Sequence, residues 1–382
     1  MKDLDITLPK PALPRGAART SRRITRLIAS RGFQKWAARF PLTRRFVRSE
    51  GGAMFDLVAG FCYSQVLQAF VKLRLPELLL TQEMTPEALA AEVDIPQDRM
   101  PVLLAATTSI GLIKRRRSGR YALTTRGAAL AGVPGLAGMI EHHNVLYLDL
   151  ADPVAFFRGE VETELAEFWP YVFGAQGAQD SATVATYSQL MADSQVLVAE
   201  DTLATVQLSG CRRILDVGGG TGAFLTAVGL AHPDLRMTLF DLPAVVPSAA
   251  KRFADAGLSD RVDIVSGSFR DDRLPQGADV ISLIRVLYDH ADETVIALLR
   301  SAYDALPVGG RILVSEPMTG GDTPQRAGDA YFALYCMAMR TGRARSQAQI
   351  AALLAQAGFS EIITPKAARP FITSIVEGVR ES

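Results

Sequence analysis

Residues 214–224 read ILDVGGGTGAF, an apolar stretch through Ile214, Leu215 and Val217 that stops on four glycines within five positions, Gly218, Gly219, Gly220 and Gly222. AFLTAVGLA then has the composition of a helix. A strand, a glycine turn and a helix bring bare backbone close to a ligand at the edge of an open α/β sheet. The next apolar run ends FDLP and places Asp241 nineteen residues after Gly222. A carboxylate there accepts hydrogen bonds from both hydroxyls of a ribose, which suits an adenosine ligand.

Two cofactors fit these features to different degrees. Gly218, Gly220 and Ala223 satisfy the dinucleotide pattern G-x-G-x-x-G/A formally. However, Gly222 comes one place early for it, and a dinucleotide domain usually leads its chain. S-adenosylmethionine has no pyrophosphate to neutralise and needs a glycine turn for its amino-acid end, so it is the better match. The third apolar run ends VSGSFR and puts Ser268 and Phe269 beside an adenine, the fourth ends LIRVLYDH, and the fifth ends with Glu316.

The elements that must position these groups alternate. RRILDV, RMTLFDL, RVDIVSG, DVISLIRVL and RILVSEP are strand candidates separated mostly by helical stretches, the pattern of a parallel sheet covered on both faces. FSEIITPKAARPFITSIVEG reads as two strands joined by a short loop, a hairpin that adds one antiparallel strand. Upstream, from about residue 52 to 130, the pattern is helical. MFDLVAGFCYSQVLQAFVKLRLPELL is apolar on more than one face and expects burial on several sides, a partner subunit included. TPEALAAEV opens on the N-cap Thr85, RMPVLLAATTSIGLI follows, and KRRRSGR with YALTTRGAAL completes the layout of a winged helix. Val102, Leu103, Leu104, Ala105, Ala106 and Ile110 offer little to a base edge, so the second helix reads as core, Arg115, Arg116 and Arg117 as a solvated wing tip, and nucleic acid is not an expected partner.

Composition agrees. The 382 residues are 48% hydrophobic and 21% charged with a net charge of +1, an ordinary globular balance with no polyanion partner implied. Cys62, Cys211 and Cys336 fit no metal or disulfide spacing, which suits a reducing compartment. No apolar run reaches the roughly 18 residues of a spanning helix, and the basic N-terminus lacks the apolar segment of a signal peptide. Charge is uneven: residues 1–50 hold thirteen Lys or Arg against Asp3, Asp5 and Glu50. Within this arm Ile24, Leu27, Ile28, Trp36 and Phe40 recur at helical spacing, so it is a helix on an anionic membrane surface, a solvated arm, or a helix docked on its own domain. Pro9, Pro11 and Pro14 disfavour regular structure in the first fifteen residues. The expected division is a basic arm (1–50), a helical winged-helix domain (51–180) and a cofactor domain (181–382), the boundary falling ahead of YSQLMADSQVLVAEDTLATV.

The segments LDVGGGTG, FDLP, GSF, RVLYDHADE and LVSEP, with the wing GRYALTTRGAAL, resemble the S-adenosylmethionine-dependent O-methyltransferases that carry an N-terminal dimerisation domain. The resemblance runs from about residue 52 to the C-terminus. It implies an α/β fold: a mostly parallel, Rossmann-like methyltransferase sheet with a C-terminal antiparallel hairpin, preceded by an all-helical winged-helix dimerisation domain. It also implies a homodimer, S-adenosyl-L-methionine as methyl donor and no metal. Carried over by position, Gly218 and Gly220 cradle the methionine portion, Asp241 holds the ribose, Ser268 and Phe269 line the adenine, and Arg285 faces the cofactor. Ser268 stands where the family often has Asp, and Phe269 where it often has Met.

The larger departure is at the fourth strand. The family's L-H-D-W-x-D-E supplies a His base for a phenol, whereas this chain reads Leu287-Tyr288-Asp289-His290-Ala291-Asp292-Glu293. Tyr288 takes the base position, where a phenol of pKa about 10 orients or relays better than it deprotonates. His290 either compensates or packs at the turn, and His142 and His143 are further candidates from the preceding helices. VLYDH together with the basic arm resembles the carotenoid branch of the family, the hydroxyneurosporene and demethylspheroidene O-methyltransferases of purple photosynthetic bacteria. That branch implies a hydrophobic acceptor, the tertiary 1-hydroxyl of an acyclic carotenoid, and a cytoplasmic protein in peripheral contact with the inner or photosynthetic membrane. A phenolic or polyketide acceptor, and a non-catalytic cofactor-binding protein, are the alternatives. In the helix PQRAGDAYFALYCMAMR, the stripe Tyr331, Phe332, Tyr335, Met337 and Met339 is core by composition, and acceptor wall by resemblance.

Overall fold

The computed structural model describes residues 23–167 and 194–381. The prolines of the first fifteen residues, the expected boundary near residue 180, and Trp169, Tyr171 and Phe173 lie outside them.

The N-terminal half is built from the helices Arg31–Arg39, Pro41–Lys72, Leu75–Thr81, Pro86–Glu92, Met100–Ser109, Thr125–Gly132 and Leu136–Asp149. The wing is the antiparallel pair β1 (Ile113–Arg115) and β2 (Tyr121–Leu123). Phe70, Leu75, Leu89, Met100, Leu104 and Ile113 meet in its core. Thr85 caps its helix as expected, its hydroxyl accepting from Ala88 N at 3.3 Å. The wing arginines fold back: Arg116 Nε meets Glu83 Oε1 at 2.9 Å and Arg120 Nη1 donates to the Glu83 carbonyl at 2.8 Å. The Met100–Ser109 helix buries Met100, Leu104 and Thr107 but leaves Val102 70% exposed, so it is core on one face.

Pro41–Lys72 departs from the sequence reading. Its 32 residues run unbroken, and by length and composition alone it could cross a membrane. Charges at Arg48, Glu50 and Asp56 interrupt the apolar run in sequence without interrupting the helix. Phe70 and Val71 anchor its C-terminal turns in the core, whereas Leu42, Phe46, Phe55, Leu57, Val58 and Phe61 lie exposed on the protomer.

The C-terminal half is a seven-stranded sheet in the order β5-β4-β3-β6-β7-β9-β8. Its strands are β3 (Arg213–Val217), β4 (Arg236–Asp241), β5 (Val262–Ser266), β6 (Val280–Ile284), β7 (Arg311–Glu316), β8 (Ser360–Ile363) and β9 (Ser374–Val379). β5, β4, β3, β6 and β7 are parallel, and β9 runs antiparallel to both of its neighbours. The expected hairpin is present, but residues 364–373 join its strands, a longer connection than the short loop expected. The central strands read as continuous apolar runs because both faces are covered. Leu215, Ile281, Leu283 and Val314 pack under helices Asp292–Ala305 and Gln347–Ala357. Ile214, Leu239, Val280 and Leu313 pack under helix Ala223–Ala231 and the helix over 194–205. Each buried Leu or Ile contributes about 1.5–3 kcal/mol relative to exposure. The three layers hold the carboxyl ends of β3, β4 and β6 in line, and the site is built there.

Candidate active site

The glycine turn is held open by its own conformation. Gly218, Gly220 and Gly222 have φ of 71°, 60° and 76°, where an L side chain is strained. A Cβ on Gly218 would lie 2.9 Å from Val286 Cγ2, whereas Gly220 has no atom within 4 Å of its Cβ position and faces open space. Gly218 N donates to Phe240 O at 2.9 Å and ties the turn to β4. Asp241 completes the tie: Oδ2 accepts from Gly220 N at 2.6 Å and Oδ1 from Leu242 N at 2.7 Å. Burial raises its pKa, and those two amides oppose the rise.

Beneath the turn lies Asp216. Ser282 Oγ donates to its Oδ1 at 2.6 Å, and Oδ2 is buried with no partner among the described residues. Burial pushes this carboxyl up to about 7. A Cβ-free cradle, a carboxylate at the end of β4 and an orphaned acceptor under the turn fit a nucleoside with an amino-acid tail. Among the described residues, no three His, Cys, Asp or Glu side chains come together as a metal set.

The turn after β6 is the second half of the site. Arg285 has a left-handed φ of 59°, rare for a side chain of its size, and its guanidinium reaches Ser194 Oγ at 2.8 Å, Gln195 Oε1 at 3.4 Å and Tyr288 Oη at 3.3 Å. Tyr288 is 3% exposed and meets Phe332 edge-on at 4.9 Å. Burial pushes its phenol far above the ordinary value, with Arg285 opposing in part. His290 lies two residues on, but the 3₁₀ turn Leu287–Asp289 carries it to the other side. Its Nδ1 is 3.2 Å from Arg270 Nη2, and its ring meets Phe269 at 5.2 Å. Burial, then Arg270 and Arg345, lower its pKa to about 4. Ser268 Oγ accepts from Arg270 N at 3.2 Å, so Ser268, Phe269 and His290 form one cluster on the β5 side, apart from Tyr288.

Two buried groups hold this turn: Glu316, read in the sequence only as the end of the fifth strand, and Arg345, which the sequence reading missed. Glu316 Oε2 accepts from Leu287 N at 2.9 Å and Tyr288 N at 3.3 Å. Arg345, fully buried, donates to Leu287 O and His290 O, both at 2.8 Å, and to Asp292 Oδ1 at 2.6 and 2.9 Å. Asp216 is likewise missed; its signal is an acid ending an apolar strand just before the glycines. The aromatic stripe divides: Tyr335 and Met339 are buried, while Tyr331 and Met337 are exposed.

Residues 147–360 match the O-methyltransferase domain, and residues 55–132 match the O-methyltransferase dimerisation domain. The chain belongs to the O-methyltransferase family. It is 54% identical to a demethylspheroidene O-methyltransferase of Cereibacter sphaeroides, over 96% of this chain and 97% of that one. A demethylspheroidene O-methyltransferase of Rhodobacter capsulatus is 50% identical, over 93% of this chain and 89% of the relative. The crystal structure of human N-acetylserotonin methyltransferase in complex with its methyl donor superposes with a TM-score of 0.72 at 25% identity, covering 87% of this chain and 98% of that one. This O-methyltransferase is thus an S-adenosylmethionine-dependent enzyme, and its dimerisation domain supports a homodimer.

Proposed function

We propose that this O-methyltransferase methylates the tertiary 1-hydroxyl of an acyclic carotenoid of the demethylspheroidene or hydroxyneurosporene type. The identity of 54% over nearly the whole length of both chains carries the reading. Tyr288 in place of the usual His base supports it, since a tertiary alcohol is too weak an acid to be ionised beforehand. The phenolic alternative lacks the histidine base at position 288.

S-adenosylmethionine supplies a methyl group on a positively charged sulfur. The chain's own residues hold it and aim the acceptor. Gly218 and Gly220 present bare backbone to its amino-acid end, with Asp216 Oδ2 beneath as an acceptor. Asp241 holds the ribose, and Ser268 and Phe269 border the adenine, with His290 packed behind Phe269. Arg285 and Tyr288 stand where the acceptor oxygen must meet the methyl group. Tyr288 stays protonated and acts as a donor that orients, not as a base. Alignment of oxygen, methyl and sulfur supplies much of the acceleration. Offered hydroxylated acyclic carotenoids and a panel of phenols in the same detergent, the enzyme should turn over the carotenoid by a wide margin. Preference for a phenol would overturn the reading.

In this reading the basic arm (1–50) serves an insoluble acceptor, ahead of a dimerisation domain (51–180) and a cofactor domain (181–382). Ile24, Leu27, Ile28 and Trp36 are each about half exposed, the Trp36 and Phe40 rings stack at 4.9 Å, and arginines flank them. Such a surface lies on anionic lipid at the cytoplasmic face of the inner or photosynthetic membrane. The protein should sediment with phosphatidylserine-containing vesicles at low salt and come free at high salt; failure to bind at low salt would remove the membrane role.

A further inference from the structure

Helix Leu136–Asp149 faces the segment after β7 with two adjacent histidines, each on a tyrosine. His142 Nε2 is 2.9 Å from Tyr335 Oη, and His143 Nε2 is 2.6 Å from Tyr331 Oη. The pairs differ in access: Tyr335 is 4% exposed and Tyr331 39%. The Met139 backbone one turn back favours the protonated His143 ring, and burial opposes it more strongly. In the tautomer that carries its proton on Nδ1, the lone pair is on Nε2 and the Tyr331 hydroxyl is the donor between them. Burial lowers the His143 pKa, so the ring is neutral near pH 7 and keeps a lone pair.

The backbone is shaped to present Tyr331. Arg326–Phe332 is a π-helical turn, a distortion that shifts side chains off the α register and is frequent at functional sites. Gly328 allows it, because a Cβ there would lie 2.2 Å from Met318 O. Asp329 pins it, accepting from Gly320 N at 2.7 Å and Gln325 N at 2.8 Å. The Tyr331 ring lies 6.5 Å from Phe332, whose ring packs on Tyr288; burial pushes the Tyr331 phenol up to about 12, with the Arg285 charge opposing in part, so the hydroxyl holds its proton until it is passed on.

We propose that Tyr331 contacts the acceptor hydroxyl and passes its proton to His143, so that this pair replaces the missing histidine at position 288. The inference rests on the methyl-transfer reading above. The oxygen–methyl bond forms as the sulfur–methyl bond breaks, and the bonding pair stays on sulfur. The acceptor proton moves to Tyr331 Oη while the Tyr331 proton moves to His143 Nε2. Tyr331 is then a catalytic residue and His143 a positioning residue that stores the proton. The ionisable groups around the pair are His142 and Tyr147 on its own helix, Tyr335 and Cys336 on the facing one, and Arg285 beyond.

The test is kcat/KM against pH with a hydroxylated acyclic carotenoid, beside a titration of S-adenosylmethionine affinity. Wild type should lose activity on the acid side as His143 becomes protonated. Tyr331→Phe and His143→Gln should each lower kcat about a hundredfold, the lower range for loss of a general base, leave cofactor affinity unchanged and abolish the acid limb. Tyr288→Phe should lower kcat yet keep the limb, and so should His142→Gln keep it. A His143→Gln enzyme with the limb intact overturns the relay, whether its turnover is normal or reduced. If His143→Gln fails to fold, Tyr331→Phe, which removes one oxygen from a partly exposed ring, decides alone. A wild-type enzyme that methylates no carotenoid overturns the acceptor reading instead.

Discussion

An Asp241→Ala variant is expected to lose S-adenosylmethionine affinity by about a hundred- to ten-thousandfold. The carboxylate has two tasks in the proposed site. It accepts from Gly220 N and Leu242 N, which fixes the glycine turn against β4. Its remaining lone pairs accept the two ribose hydroxyls. Hydrogen bonds to a charged group are worth about 1.5–3 kcal/mol each, so losing the ribose pair alone removes about 3–6 kcal/mol, at about 1.4 kcal/mol per tenfold. Freeing the turn adds to that loss. Asp241→Asn impairs both tasks, since an amide has one acceptor oxygen in place of two and offers Gly220 N or Leu242 N a mismatched partner. Isothermal titration measures both variants, with a thermal melt to show that the chain is folded. Unchanged affinity in Asp241→Ala would sink the assignment.

Arg345→Met is expected to cost about 2–6 kcal/mol of stability, the sum for two buried carbonyls left without their donors. The methionine leaves the Leu287 and His290 carbonyls without their 2.8 Å donors in a dry interior, and each such group costs about 1–3 kcal/mol. Asp292 is 42% exposed and finds water, which keeps the loss within that range. At about 2–4 °C per kcal/mol for a domain of this size, the melting midpoint should fall by roughly 10 °C. Arg345→Lys keeps the charge but not the planar fork that serves two carbonyls and a carboxylate at once, so it should recover less than half of the loss. A midpoint within about 2 °C of wild type in Arg345→Met would show that the turn after β6 does not depend on this clamp.

The parts of the fold visible in sequence are those with local causes. The central strands show as unbroken apolar runs because parallel strands are buried on both faces, and the glycine turn shows because three of its residues need positive φ. Thr85 announces its helix through a cap three residues long. What stayed hidden depends on distance along the chain or on rotation about it. Arg345 reaches a turn more than fifty residues upstream, and neither its type nor its neighbours reveal that. His290 stands two positions from Tyr288, yet the 3₁₀ turn sends it to Arg270 and Phe269. Tyr331 sits in a stripe that reads as a regular helix, and a π turn held by Gly328 and Asp329 changes which member faces outward. The long Pro41–Lys72 helix was obscured by charges that its solvent face carries without strain.

The central claim is tested most directly by mass spectrometry of the carotenoid recovered after incubation with methyl-labelled S-adenosylmethionine. One labelled methyl group is expected on the terminal oxygen of the hydroxylated acyclic carotenoid, absent when Asp241→Ala replaces the wild-type enzyme. An unlabelled carotenoid beside a labelled phenol, or no labelled product while the cofactor is bound, would contradict it.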